Sequence, residues 1–180
     1  LVKRPKDLQI LMQQGLLHER MQQPAKALAI YQKILEINPD FAPALNNAAY
    51  IISENGGDLD KALQMAQRAV QLVKDDAPLQ DTLGWLLLKR GDAVAAAEIL
   101  QASATQLGDN PECQFHYGMA CFALGRREEG REAFERAFRL SKDFPGNQQA
   151  QARLDIIALD KGKVDSQSIS KLETIQKREP

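Results

Sequence analysis

Residues 76–125 read DAPLQDTLGWLLLKRGDAVAAAEILQASATQLGDNPECQFHYGMACFALG. Gly84-Trp85 in this stretch is followed 34 residues later by Gly118-Met119, and Ala96 and Gly130 are also 34 apart. A fixed period in this range signals stacked structural repeats. Working outward, Ala49 lies 35 residues before Gly84, and Gly15 lies 34 before Ala49. A second comb runs Ala27, Ala62, Ala96, Gly130. The one extra residue falls between Ala49 and Ala62, where Gly56-Gly57 marks a turn. All eight comb positions are Gly or Ala, and the need is steric: antiparallel helices that cross closely carry small side chains at the crossing.

The 180 residues are 44% hydrophobic and 26% charged, a balance that supports a continuous core. The formal net charge of −1, with no basic stripe, argues against a nucleic-acid partner. No apolar run approaches the roughly 18 residues of a membrane span. Cys113 and Cys121 fall eight residues apart on one predicted helix. That is about 12 Å along the axis, too far for a disulfide between them.

Turn chemistry divides the chain into helices. Residues 1–7 are a charged lead-in. The first helix is predicted over about 8–21 and the second over 24–37, with Pro24 in its first turn, where the missing N–H is unpaired anyway. Further helices are predicted over 42–54 and 59–73, separated by Asn55-Gly56-Gly57, with Asp58 as a cap. Asp76 caps the next, which reaches Lys89; Asp92 caps 93–107; and Asn110-Pro111 opens 111–124. The eighth helix is predicted over 127–142. Pro145-Gly146 then breaks the chain before a helix at 147–160 with the apolar stripe Ala150, Leu154, Ile157, Ala158. In the tail, residues 161–180, Ser170 and Glu173 fit a capping box and a short helix is a candidate.

This doubled comb resembles the tetratricopeptide repeat (TPR), a helix-turn-helix unit, over four units: 8–41, 42–76, 77–110 and 111–144. The resemblance implies an all-α fold: a right-handed superhelical solenoid over residues 1–160, with 147–160 as the capping helix. The family's tryptophan column holds Leu11, Leu45, Gln80 and Gln114 here, and its proline survives cleanly only as Pro39. Asp81-Thr82-Leu83-Gly84-Trp85 and the segment 57–63 are similar to bacterial cell-envelope members linked to exosortase and exopolysaccharide export. That likeness implies a periplasmic or envelope location, with the cytoplasm as the alternative.

Sorting the first helix of each unit by column separates packing from surface. Ile10, Ala44, Leu79, Cys113 and Leu17, Ile51, Leu86, Ala120 are uniformly apolar, as expected of positions buried between neighbouring units. Columns five, nine and twelve share another face. The resemblance makes that face a groove for a partner segment. Its floor is Leu16, Tyr50, Trp85 and Met119; Met12, Phe115, Leu88 and Phe122 flank it; Asn46, Asn47 and Asp81 are its polar points. Large exposed apolar patches mark interaction sites, and Trp and Tyr are favoured anchors, so Trp85 is expected at the energetic centre. The plainer alternative is that these side chains pack on one another or on the tail.

Some family members grip a C-terminal carboxylate with Lys, Asn and Arg in these columns. Met12, Pro78 and Thr82 occupy the basic positions here, so an apolar or amphipathic protein or peptide is the expected partner. Cys113-x-x-His116 with Cys121 is metal-like in spacing, but both cysteines fall in apolar columns and read as core, as does His18. No catalytic residue, metal or cofactor is expected. The reading is therefore a non-catalytic scaffold. Its rivals are a self-assembling protein whose tail fills another copy's groove, and a regulatory module of a larger protein.

Overall fold

The computed structural model describes residues 5–160. Among these the chain is all α-helical, with nine helices and no strand: α1 (Pro5–Arg20), α2 (Pro24–Ile37), α3 (Ala42–Glu54), α4 (Leu59–Leu72), α5 (Ala77–Lys89), α6 (Ala93–Gln106), α7 (Pro111–Ala123), α8 (Arg127–Leu140) and α9 (Asn147–Asp160). The candidate tail helix lies outside the described residues. The first helix begins at Pro5 rather than near residue 8. Proline suits a helix's first position, and Asp7 in the first turn complements the dipole.

The helix starts follow their caps. Asp58 accepts from the Lys61 N–H at 3.0 Å, Asp76 from Leu79 at 3.1 Å, and Asn110 from Glu112 at 2.9 Å. One turn position has the same backbone in all four helix pairs. Gln22 (φ 56), Gly56 (φ 70), Gly91 (φ 95) and Gly125 (φ 73) are all left-handed, so the first pair carries the strain of a side chain where the others use glycine.

The described residues fall into two compact units, divided between Ile99 and Leu100. In the first, α2 lies between α1 and α3, and α4 between α3 and α5. Ala27, Tyr31 and Ile34 of α2 pack with Leu8 of α1 and Ala44, Ala48 and Ile51 of α3; Ala69 of α4 packs with Leu45 and Leu79. The small-residue comb has an unequal logic. Gly15 opens space for the Tyr31 ring: a Cβ there would lie 2.7 Å from Tyr31 Cζ. In the second unit, a Cβ on Gly118 would lie 2.5 Å from Phe134 Cε1, and one on Gly130 would lie 3.2 Å from the Gly118 carbonyl oxygen. Glycine on one helix therefore admits an aromatic ring from its partner.

In the second unit α7 and α8 pair, and α9 covers both. Ala150 and Ile157 of its stripe are buried and Leu154 and Ala158 half-buried. Phe115, Phe134, Phe138 and Phe144 form an aromatic core with centroids 5.3–6.4 Å apart.

One packing expectation is corrected. Ala44, Leu79, Ile51 and Leu86 are buried as their columns require, but Ile10 is 59% and Leu17 55% exposed. The cause is position: α2 covers this face of α3 and α4 covers it on α5, whereas no described helix precedes α1.

Candidate partner-binding site

The eleven expected groove residues divide by burial. Asn46, Asp81, Trp85 and Phe115 are buried; Met12, Leu16, Asn47, Tyr50, Leu88, Met119 and Phe122 are half-buried.

In the first unit, Trp85 retains 7% exposure, which corrects the expectation of an exposed anchor. Its indole Nε1 donates to Glu54 Oε1 at 2.7 Å. Lys89 Nζ meets the same carboxylate at 2.7 Å, donates to the Ser53 carbonyl at 3.0 Å, and lies 5.6 Å from the indole centroid. Trp85 and Lys89 thus fasten α5 to the C-terminal end of α3. A tryptophan buried with its N–H paired acts as wall before it acts as contact surface.

Asn47 is also committed. Tyr31, fully buried, donates its hydroxyl to Glu19, and Asn47 Nδ2 donates to Tyr31 Oη at 3.1 Å and to Glu19 Oε1 at 3.4 Å. Its Oδ1 accepts from Asn46 Nδ2 at 3.3 Å. Asn47 therefore links α1, α2 and α3 instead of offering its donors to a peptide. Burial and the Glu19 carboxylate push the Tyr31 phenol well above its ordinary pKa, which keeps it a neutral donor. Asn46 differs: its Oδ1 is buried without a hydrogen-bond partner. The half-buried apolar members here are Met12, Leu16, Tyr50 and Leu88. Met12 also lines a hollow of about 740 Å³ with Ile10, Leu17 and Phe41, on the uncovered face of α1, which the periodic reading did not anticipate.

In the second unit, Phe115 is 2% exposed within the aromatic core, so its assignment to an exposed flank is corrected. The aromatic partners Phe134 and Phe144 come from distant segments that a column of first helices does not include. Met119 is half-buried. Two guanidinium groups lie over the Phe122 ring, Arg127 at 4.2 Å and Arg153 at 5.0 Å from its centroid, a cation–π arrangement. Cys113 and Cys121 are buried free thiols, and burial pushes the Cys121 thiol above its ordinary pKa. His116 is buried with Nε2 at 3.9 Å from Glu112, and His18 Nδ1 lies 3.1 Å from Gln23 Oε1. Among the described residues no group of three or more metal-ligating side chains comes together, and no described helix is long and apolar enough to cross a membrane.

Repeated helix pairs with small residues at each crossing define a helical repeat protein. The chain matches the tetratricopeptide repeat families over residues 8–41 and 30–64, and the family of anaphase-promoting complex, cyclosome, subunit 3 over 55–137. The chain thus carries tetratricopeptide repeats.

The relatives named here are bacterial where their source is given. The TPR repeat-containing protein PA4667 of Pseudomonas aeruginosa is 26% identical over 114 residues, which are 63% of this chain and 19% of that protein. The chain thus matches about a fifth of that relative's length. Among solved structures, MamA from Desulfovibrio magneticus aligns with a TM-score of 0.66 at 16% identity, covering 94% of this chain and 95% of that one. PilF of Pseudomonas aeruginosa aligns with a TM-score of 0.70 at 17% identity, covering 88% and 70%. YrrB, described as a TPR protein with an unusual peptide-binding site, aligns with a TM-score of 0.62 at 21% identity, covering 93% and 86%. These likenesses establish the fold. None of these relatives carries an exosortase or exopolysaccharide label.

Proposed function

We propose that this chain is a non-catalytic scaffold that holds a segment of a partner protein against the first helices of its repeats. The observation that carries this is that Leu16, Tyr50 and Leu88, on α1, α3 and α5 in turn, are all half-buried in the first unit. Side chains of this size, partly open and one to a helix, give a segment lying across the helices an apolar contact at each. Asn47 and Trp85, three residues before Tyr50 and Leu88 on the same helices, are fixed by their bonds to Tyr31 and to Glu54. In the second unit Met119 and Phe122 are the half-buried counterparts. The fold likeness to YrrB, whose description names a peptide-binding site, supports the reading.

The test is affinity capture from the host with wild-type protein beside the double variant Leu16→Gln and Leu88→Gln, bound proteins being quantified by mass spectrometry. Both sites are half-buried, so the variant is expected to stay folded, with a melting temperature a few degrees below wild type, and to lose most of one captured partner. Equal capture by both proteins contradicts the proposal. The identity of the captured protein decides whether the setting is an envelope assembly.

A further inference from the structure

One face of α1 lacks the cover that the equivalent faces of α3 and α5 have. Ile10 and Leu17 are 59% and 55% exposed, and Met21, just past the helix, is 53% exposed. Ile10 and Leu17 line the hollow of about 740 Å³ together with Met12, Phe41 and three glutamines, so no charged side chain lines it among the described residues. Exposed apolar patches with a polar rim mark contact surfaces.

The chain shows how such a face is covered, because it makes the equivalent contact twice. α2 packs on α3 and α4 packs on α5. Ile34 of α2 shares a core cluster with Ala44 of α3, and Ala69 of α4 shares one with Leu79 of α5. Ile34 and Ala69 occupy one column, 35 residues apart; Ala44 and Leu79 occupy another with the same separation. Bulk therefore trades across the contact: large on the second helix with small on the first, and the reverse one repeat later. Close packing requires this, since two large side chains overfill the space and two small ones leave a cavity. Ile10 stands in the column of Ala44 and Leu79 and is large, so the helix that covers it needs a small side chain there, as α4 provides for Leu79. A second copy of the same face would bring Ile10, Leu17 and Met21 again, large against large.

We propose that this face of α1 docks an amphipathic helix of a partner protein, which lies on α1 as α4 lies on α5 and sets an alanine, glycine or serine against Ile10. The contacting face of that helix carries no charge. With its 16 residues, α1 is about 24 Å long, enough for about four turns of a partner helix. Ile10 and Leu17 stand in columns other than those of Leu16, Tyr50 and Leu88, so this surface is additional to the one proposed above and does not depend on it.

Three fluorescein-labelled peptides test it. They copy residues 59–72, the sequence of α4, and carry alanine, isoleucine or glutamate at the position of Ala69. Each is lactam-bridged on its far side, because helices this short are marginal alone. Fluorescence anisotropy against the full chain is expected to show the alanine peptide binding at least about fivefold more tightly than the isoleucine peptide, with the glutamate peptide weakest. Affinity should change little as salt rises from about 50 to about 500 mM, since the lining is uncharged. Ile10→Ala is expected to reverse the order, the isoleucine peptide then binding at least about fivefold more tightly than the alanine peptide, as Ile34 stands with Ala44. That variant should melt within a few degrees of wild type, because Ile10 is exposed. Leu17→Glu should abolish binding of all three.

Binding of none of the peptides to wild-type protein overturns the proposal. An order of preference unchanged by Ile10→Ala places the contact elsewhere and overturns it, as does a steep loss of affinity with salt. Displacement of the alanine peptide by a synthetic peptide of residues 161–180 gives the face to this chain's own tail. A wild-type dimer in sedimentation equilibrium that Leu17→Glu converts to monomer gives it to a second copy. Either result overturns the partner helix. A large fall in the melting temperature of Ile10→Ala shows that Ile10 serves the fold, and overturns it as well.

Discussion

Replacing Trp85 with Ala tests whether this side chain is wall or contact. Trp85 is 7% exposed, its indole N–H is satisfied by Glu54 at 2.7 Å, and Lys89 lies over the ring. Truncating a buried tryptophan costs about 3–5 kcal/mol from lost transfer energy and the cavity left behind. At roughly 2–4 °C per kcal/mol for a chain of this size, the melting temperature should fall by about 6–20 °C. Trp85→Phe is the milder variant. It keeps a six-membered ring but removes part of the indole together with the bond to a partly exposed carboxylate, so its cost should fall between about 1 kcal/mol and that of the alanine variant. Thermal melts followed by circular dichroism at 222 nm measure both. A Trp85→Ala protein melting within about 2 °C of wild type would refute the assignment of Trp85 to the wall.

Other perturbations probe separate features. Gly118→Ala puts a Cβ 2.5 Å from Phe134 Cε1 and should destabilise by about 1–2 kcal/mol despite alanine's better helix propensity; an unchanged or raised melting temperature contradicts the close crossing. Gln22→Gly relieves the one left-handed hairpin position not occupied by glycine and should stabilise by about 0.5–1 kcal/mol, read as a small rise in melting temperature. The phenols of Tyr31 and Tyr117 are raised chiefly by burial, so their folded pKa values exceed the unfolded ones. Their contribution to stability is then fully present below about pH 10 and lost as pH climbs above it; absorbance at 295 nm should show the two ionising together with unfolding, and their titration in folded protein contradicts this. Cys113 and Cys121 should resist maleimide in native protein and react in denaturant, since both are buried and the Cys121 thiolate is disfavoured by burial; prompt native labelling contradicts their placement.

Most of the fold was legible because it is written in local chemistry and a period. The bounds of α2, α3, α5 and α9 fall where Pro24, the turn at Asn55, the Asp76 cap and Pro145-Gly146 place them. The site was less legible. A column treats every unit as interior, which is why Ile10 and Leu17 were expected to be covered although no described helix precedes α1. Columns also compare equivalent residues only. Trp85 is buried partly through Glu54, 31 residues earlier, and Phe115 through Phe134 and Phe144. Asn47 looked available because its ties to Tyr31 and Glu19 cross helices. A clue to the unequal crossings was present in the sequence: Gly15 and Gly118 stand in the register where the facing helix carries Tyr31 and Phe134.

The central claim, that a partner segment lies on the inner row of the first unit, is tested most directly by site-specific photocrosslinking in the host. A benzophenone amino acid replaces Tyr50, in the row, or Val94, which is 60% exposed on α6. The account predicts a discrete crosslinked product from position 50, with the same protein absent from position 94. Crosslinks to one partner from position 94 alone, or with equal yield from both positions, would contradict it.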